Sequence, residues 1–110
     1  MPTSANFKNQ RQSPRLEKSF PVTLQFGIQI ILQGVLKDIS LKSAFVKIKE
    51  SVYLEPNDEL IFTIQPANGI SEEVVQGSAR ISRIVKGEGI AIFFTRLDQV
   101  SLDRLKEWLA

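Results

Sequence analysis

The strongest constraint on the fold is a run of apolar residues at every second position, which begins at Phe20. It comprises Phe20, Val22, Leu24, Phe26, Ile28, Ile30 and Leu32, and polar residues stand between most of them. A period of two is typical of a strand with one buried face. Because strands rarely exceed about ten residues, Gly27 is expected to mark a turn. A second strand is then predicted from about Ile30 to Ile39.

The same segment permits a helical interpretation, because Gln25, Gln29 and Gln33 would line one face of a helix. The β-branched residues between them and the two glycines of the segment favour strands. Alternation predicts four further strands, at Ala44–Lys49, Leu60–Gln65, Val74–Val85 and Ile90–Phe94. Turn residues separate them at Glu55–Asp58, Pro66–Gly69 and Lys86–Gly89.

The C-terminal segment has helical spacing instead. An amphipathic stripe is formed by Leu102, Leu105, Trp108 and Leu109, and Asp98 or Ser101 is a candidate N-cap. Six strands joined mainly by hairpin-sized turns predict a small antiparallel barrel or sandwich, with the helix covering one end. The fold class is therefore all-β with one helix, in a single domain of 110 residues.

Composition excludes several kinds of chemistry. The chain has neither cysteine nor histidine, which removes disulfides, thiolate nucleophiles, zinc-thiolate sites and His-based triads. The acidic pairs Asp58-Glu59 and Glu72-Glu73 are adjacent residues, so their side chains are not expected to converge. No glycine-rich phosphate loop precedes a helix. We therefore predict a binding module that is not an enzyme and has no metal or cofactor.

Charge is concentrated near the N-terminus. Residues 1–20 contain four basic residues and one acidic residue, whereas the remainder carries a net charge of −1. A basic arm on a nearly neutral body suggests a small anionic partner, although a solvated tail explains the same charges. No apolar leader or membrane-spanning segment is evident, so we expect a cytoplasmic protein without membrane insertion.

Two short motifs flank the first two strands. Arg11 and Arg15 form R-x-x-x-R before the first strand, and Asp38-Ile39-Ser40 ends the second. In this order the motifs resemble the signature of PilZ domains, R-x-x-x-R followed by [D/N]-x-S-x-x-G. The resemblance extends through Gly89–Phe94 and the C-terminal helix. It implies a flexible lead-in at residues 1–10 and a PilZ-like domain at 11–110, folded as a six-stranded antiparallel barrel with one C-terminal helix.

PilZ domains are known as bacterial receptors for the second messenger cyclic di-GMP (c-di-GMP). The resemblance therefore implies a ligand site at Arg11, Arg15, Asp38 and Ser40. The family's glycine falls on Ser43, a weaker site residue. If the glycine has a positive φ, serine there costs about 1–2 kcal/mol. The expected partner is a protein of motility, biofilm or envelope machinery, and the expected state is a monomer or weak dimer.

Alternatives remain for each part of this interpretation. Asp38 and Ser40 are also ordinary turn residues at a strand end. Arg80 and Arg83 are expected on opposite faces of one strand, so at most one would face a ligand. A PilZ-like adaptor that acts without nucleotide is the second hypothesis, favoured by Ser43. An RNA-binding barrel is the third hypothesis, in which Phe45, Tyr53 and Phe93 would be exposed platforms for bases. We expect, however, that the protein does not bind a nucleic-acid polymer.

Overall fold

A computed structural model describes residues 19–48, 54–66 and 73–110, which form six strands and one helix. The elements are β1 (Pro21–Phe26), β2 (Ile30–Ile39), β3 (Ser43–Lys47), β4 (Glu59–Ile64), β5 (Val75–Val85), β6 (Gly89–Leu97) and α1 (Gln99–Leu109). All strand pairs are antiparallel, and the sheet closes in the order β1-β2-β3-β6-β5-β4. The predicted all-β barrel with one C-terminal helix is confirmed.

The alternating residues fill the barrel interior. Every strand contributes aliphatic or aromatic side chains that are almost completely buried, among them Val22, Leu24, Leu36, Ile39, Val46, Phe62, Ile64, Ile81 and Ile92. Their polar neighbours in the sequence face outward, as the pleat of a strand requires. Closure leaves no unpaired sheet edge, which makes the outer barrel surface the place for a ligand site.

Turn chemistry agrees with the sequence at three connections. Gly27 between β1 and β2 has φ +65°, and Gly87 between β5 and β6 has φ +81°. Asn57 reaches φ +75°, and the adjacent Asp58 carboxylate accepts a hydrogen bond of 2.9 Å from the amide of Glu55. Glycine and asparagine adopt this left-handed conformation at low cost, which is why they occur at these turns.

The barrel confirms the predicted turn at Gly27 and corrects one other prediction. The alternation of β1 ends at this turn, where Ile28 has 89% of its surface exposed. Arg80 and Arg83 do not lie on opposite faces. They pair with Phe93 and Ala91, which share the outer face of β6, because a register shift between Ile81 and Arg83 interrupts the alternation of β5.

Helix α1 covers the barrel end at which β1 and β5 begin. The Asp98 carboxylate caps the helix, accepting a hydrogen bond of 2.7 Å from the amide of Ser101. The buried Ser101 hydroxyl accepts from the amide of Gln76 at 3.0 Å, and Leu105 lies completely buried in the core. Trp108 packs edge-on against Phe20, with ring centroids 5.2 Å apart. The predicted N-cap and the predicted position of the helix are both confirmed.

No helix in the described part of the chain is both long enough and apolar enough to cross a membrane.

The close approach of β3 and β6 depends on Gly89. A β-carbon at this position would lie 2.1 Å from the carbonyl oxygen of Val46, a backbone atom that cannot rotate away. We expect Gly89→Ala to lower the free energy of unfolding by about 1–3 kcal/mol, because the two strands must separate to admit a methyl group. Urea denaturation measures this change.

Glu88→Ala is the matched control, because Glu88 occupies the adjacent turn with its side chain exposed. It should change stability by no more than about 0.5 kcal/mol. A Gly89→Ala variant as stable as the control would show that β3 and β6 are not packed this closely.

Candidate functional site

Four neighbouring strands each place one residue in a row across the outer barrel surface. Asp38 of β2 pairs with Phe45 of β3, Phe45 pairs with Ala91 of β6, and Ala91 pairs with Arg83 of β5. Residues that flank them in the sequence, such as Ile39, Ala44 and Ile92, are buried, so the row itself faces outward. A carboxylate and a guanidinium thus stand at the two ends of a row that contains an aromatic ring.

This row lines a surface pocket of about 310 Å³, together with Ser43, Ala44 and Ser82. Ala91 is the smallest member of the row and lies between Phe45 and Arg83, which leaves space between the phenyl ring and the guanidinium. Both groups offer flat faces on which a planar heterocycle can stack.

Charged groups of both signs lie at the pocket. Arg83 and Asp38 are the two charged residues of its lining, and the Lys37 ammonium lies 5.6 Å from the centre of the ring of Phe45, another lining residue. The two cations favour an anionic ligand group, while the carboxylate supplies acceptors for N–H donors.

Ser40 shapes the turn beside the pocket. It is only 3% exposed, and its hydroxyl accepts from the amides of Ser43 and Lys42 at 3.2 and 3.4 Å. The same hydroxyl lies 3.3 Å from both the carbonyl oxygen and the hydroxyl of Ser43. A backbone bond of 2.8 Å from the Ser40 amide to the Ser43 carbonyl closes the turn. Ser40 therefore positions the ends of β2 and β3.

Ser43, where the family has glycine, is not strained. It is the first residue of β3 and pairs with Phe93 of β6. Asn57 is the one non-glycine residue with a positive φ in the described part of the chain, so Ser43 does not adopt the left-handed conformation that a glycine at this position could have required. The serine side chain instead lines the pocket.

The predicted site residues fall into three groups. Asp38 and Ser43 meet at the pocket, and Ser40 lies buried in the turn next to them. Arg11 and Arg15 lie outside the described residues, as does the lead-in of residues 1–10.

The sequence motifs did not identify Arg83 or Ala91 as site residues, and they indicated Phe45 only as a platform for RNA. The pairing of β5 with β6 places Arg83 on this face, through the register shift between Ile81 and Arg83.

Carboxylates do not cluster into a metal site in the described part of the chain, where no group of three could hold a cation.

Comparison with known proteins agrees with the fold. The family model described as PilZ domain matches residues 9–110, which is nearly the whole chain. A search of curated proteins finds no significant sequence match.

Three solved structures share the fold. The Bacillus subtilis inhibitor of motility MotI/DgrA superposes with a TM-score of 0.76 at 13% identity, over 91% of this chain and 49% of its own. The chain therefore spans about half the length of that protein. The PilZ domain of CeSA from a cellulose-synthesizing bacterium gives 0.64 at 22% identity, over 86% of this chain and 93% of its own.

The third structure is the PilZ domain of Escherichia coli YcgR, solved with c-di-GMP. It superposes with a TM-score of 0.65 at 13% identity, over 91% of this chain and 88% of its own. At identities this low, the three structures support only a shared fold. The family model, in contrast, matches the sequence itself over nearly its full length. The chain belongs to the PilZ domain family.

Proposed function

We propose that this protein is a bacterial, cytoplasmic receptor for c-di-GMP that passes the signal to a partner protein and catalyses no reaction. In this proposal the ligand contacts are Arg11, Arg15, Asp38 and Ser43. Ser40 holds the turn between Asp38 and Ser43. The observation that carries it is the pocket between Asp38 and Arg83, with its charged ends and its aromatic wall. Membership of the PilZ family, and the fold likeness to a PilZ domain solved with c-di-GMP, support this choice of ligand.

The pocket chemistry suits the two parts of this ligand. Each guanine of c-di-GMP has N–H donors that a carboxylate can accept, as well as a flat face that can stack on Phe45 or Arg83. The two phosphates match arginine guanidinium groups, which bind phosphate oxygens through paired hydrogen bonds. In this proposal the Asp38 carboxylate binds a guanine base, and arginine guanidinium groups bind the phosphates.

The start of the described chain lies close enough for the arm to reach this pocket. The carbonyl oxygen of Phe20 accepts a hydrogen bond of 2.8 Å from the amide of Leu36, two residues before Asp38. Arg15 precedes Phe20 by five positions, which an extended chain spans in at most about 18 Å. Both arginines of the R-x-x-x-R motif are thus tethered within reach of the Asp38 carboxylate.

A PilZ-like adaptor that binds no nucleotide is the second candidate function. The specific observation behind it is Ser43, whose hydroxymethyl group lines the pocket where the family's glycine has no side chain. The fold likeness to an inhibitor of motility agrees with action on a protein partner. In this case the pocket would remain without c-di-GMP, and calorimetric titration of the parent protein would detect no binding.

The arm is tested by replacing both arginines. Charge-assisted hydrogen bonds contribute about 1.5–3 kcal/mol each, so the double variant Arg11→Ala, Arg15→Ala should bind c-di-GMP about 10²–10⁴-fold more weakly. Isothermal titration calorimetry measures this loss. Replacing Lys86, an exposed cation of the β5–β6 turn, by alanine is the matched control and should leave affinity unchanged. Parent-like affinity of the double variant would refute the assignment of the arm.

Ser40 is tested by separating stability from binding. Ser40→Ala removes a buried hydroxyl that both donates and accepts within the turn, so we expect the unliganded protein to lose about 1 kcal/mol of stability. Ser82→Ala is the matched control, because Ser82 is exposed and makes one hydrogen bond, of 3.2 Å, to the carbonyl of Ala91. Thermal unfolding without ligand distinguishes the two variants. Unchanged stability combined with lost binding would mean that Ser40 acts as a ligand contact and not as a turn residue.

A further inference from the structure

Large aliphatic side chains are exposed on the part of the barrel formed by β1, β2 and β4. Ile28, Ile31 and Ile61 expose 89%, 57% and 53% of their surfaces, and we call these three residues the isoleucine patch. Single exposed aliphatic residues are common, whereas several on one part of a surface are typical of sites that contact another molecule.

Strand register places two members of this patch in a line with a charged residue. Ile31 pairs with Gln25, Gln25 pairs with Ile61, Ile61 pairs with Ser78, and Ser78 pairs with Arg96. The line therefore crosses β2, β1, β4, β5 and β6 in turn. Because neighbouring strands are about 4.8 Å apart, Ile61 and Arg96 are separated by about 10 Å.

The line also crosses a groove of about 690 Å³. Gln25, Ile28, Ile61, Ser78 and Arg96 are among its lining residues. A register shift between Ser78 and Ala79 interrupts the β5–β6 pairing at this point. The side-chain amide of Gln25 donates a hydrogen bond of 3.2 Å to the carbonyl oxygen of Gly27, so it has a partner within its own hairpin. The groove therefore offers an apolar wall at one end and Arg96 at the other.

Arg96 gives the groove its charge. The other guanidinium in the lining, Arg80, is already paired with the Glu59 carboxylate and donates to the Asn57 carbonyl at 3.0 Å. The Arg96 side chain is exposed, and its guanidinium has neither an ion pair nor a hydrogen bond to another described residue. One uncompensated positive charge thus stands about two strand spacings from an exposed isoleucine.

The geometry points to this groove as a docking site for a partner protein segment that carries aliphatic side chains and a carboxylate about 10 Å from them. Positions i and i+7 of an α-helix are about 10 Å apart, so an acidic amphipathic helix presents this pattern. The aliphatic residues would cover the isoleucine patch, and the carboxylate would pair with Arg96. This surface is separate from the Asp38–Arg83 pocket, and the assignment does not depend on nucleotide binding.

Other occupants fit the groove less well. An anionic membrane surface attracts clusters of several cations, whereas the groove has one unpaired arginine beside an ion pair. A second copy of this chain offers acidic residues on α1, at Asp103 and Glu107, beside the exposed Val100. Contact between that helix and this groove would be head-to-tail and would join copies into rings or open chains, so it predicts self-association with rising protein concentration.

Titration of the full-length, isotope-labelled chain with synthetic helical peptides tests the assignment. The probe is an amphipathic peptide of about 15 residues with leucines on one face and glutamates about seven positions from them, and its twin carries lysines instead. The glutamate peptide should shift the backbone amide signals of Ile28, Ile31, Ile61 and Arg96. The titration of these signals should give the lysine peptide an affinity at least about tenfold lower.

Two groove variants and one control sharpen the result. Arg96→Glu should reverse the preference between the peptides, and Ile61→Ser should weaken binding of the glutamate peptide about tenfold. Lys86→Glu, which changes an exposed charge in the β5–β6 turn, should do neither. Both groove residues are exposed, and retained dispersion of the amide spectrum verifies that each variant folds.

Four outcomes overturn the proposal. These are equal binding of the two peptides, no shifts at the groove amides, the same shifts on adding phosphatidylglycerol vesicles, and broadening of those signals with protein concentration alone. The last two identify a membrane surface and a second copy as the occupant. None of them bears on c-di-GMP binding at the other pocket.

Discussion

The pairing of β3 with β6 is the interaction on which both the fold and the candidate site depend. It joins the β2–β3 hairpin to the β5–β6 hairpin, two units that are each local in sequence but distant from one another. The approach is so close that Gly89 leaves no space for a β-carbon beside the Val46 carbonyl. Only this pairing brings Phe45 next to Ala91, and so places Asp38 and Arg83 at the two ends of one row. A local disturbance at β3 or β6 would therefore affect the barrel core and the pocket together.

The elements that could be predicted from the sequence are those governed by local rules. Alternation identified the six strands, glycines and Asn57 marked the turns, and Asp98 capped the helix as expected. The exposure of Ile28 could not be predicted from alternation, because this hydrophobic residue lies in the β1–β2 turn, outside both strands. The common face of Arg80 and Arg83 required knowledge of a bulge, which depends on pairing with a distant strand. Asp38 and Ser43 could be predicted as candidate site residues because they belong to one short motif. Arg83 and Ala91 could not, because strand pairing in the closed barrel brings them to the pocket.

Strands β5 and β6 connect the pocket with the groove. Arg83 and Ala91 contribute to the pocket proposed for c-di-GMP, and Ser78 and Arg96 contribute to the groove proposed for a partner protein. Both strands contribute to the same buried core, and they pair with each other from Gly77 to Val85 of β5, apart from two register shifts. The proposed ligand site and the proposed docking site thus lie on the same two strands of one closed barrel. The N-terminal segment enters at Phe20, beside Leu36 and Trp108, at the end of the barrel covered by α1.

The pocket is tested most directly by mapping c-di-GMP onto the protein with amide chemical shifts. Binding between Asp38 and Arg83 should produce the largest shifts at Asp38, Ser43, Phe45, Arg83 and Ala91, with those of Ile61 and Arg96 unchanged. The aromatic ring of a guanine stacked on Phe45 or Arg83 would be the physical cause. Shifts confined to other parts of the barrel, or no shifts at all at saturating ligand, would contradict the assignment of this pocket.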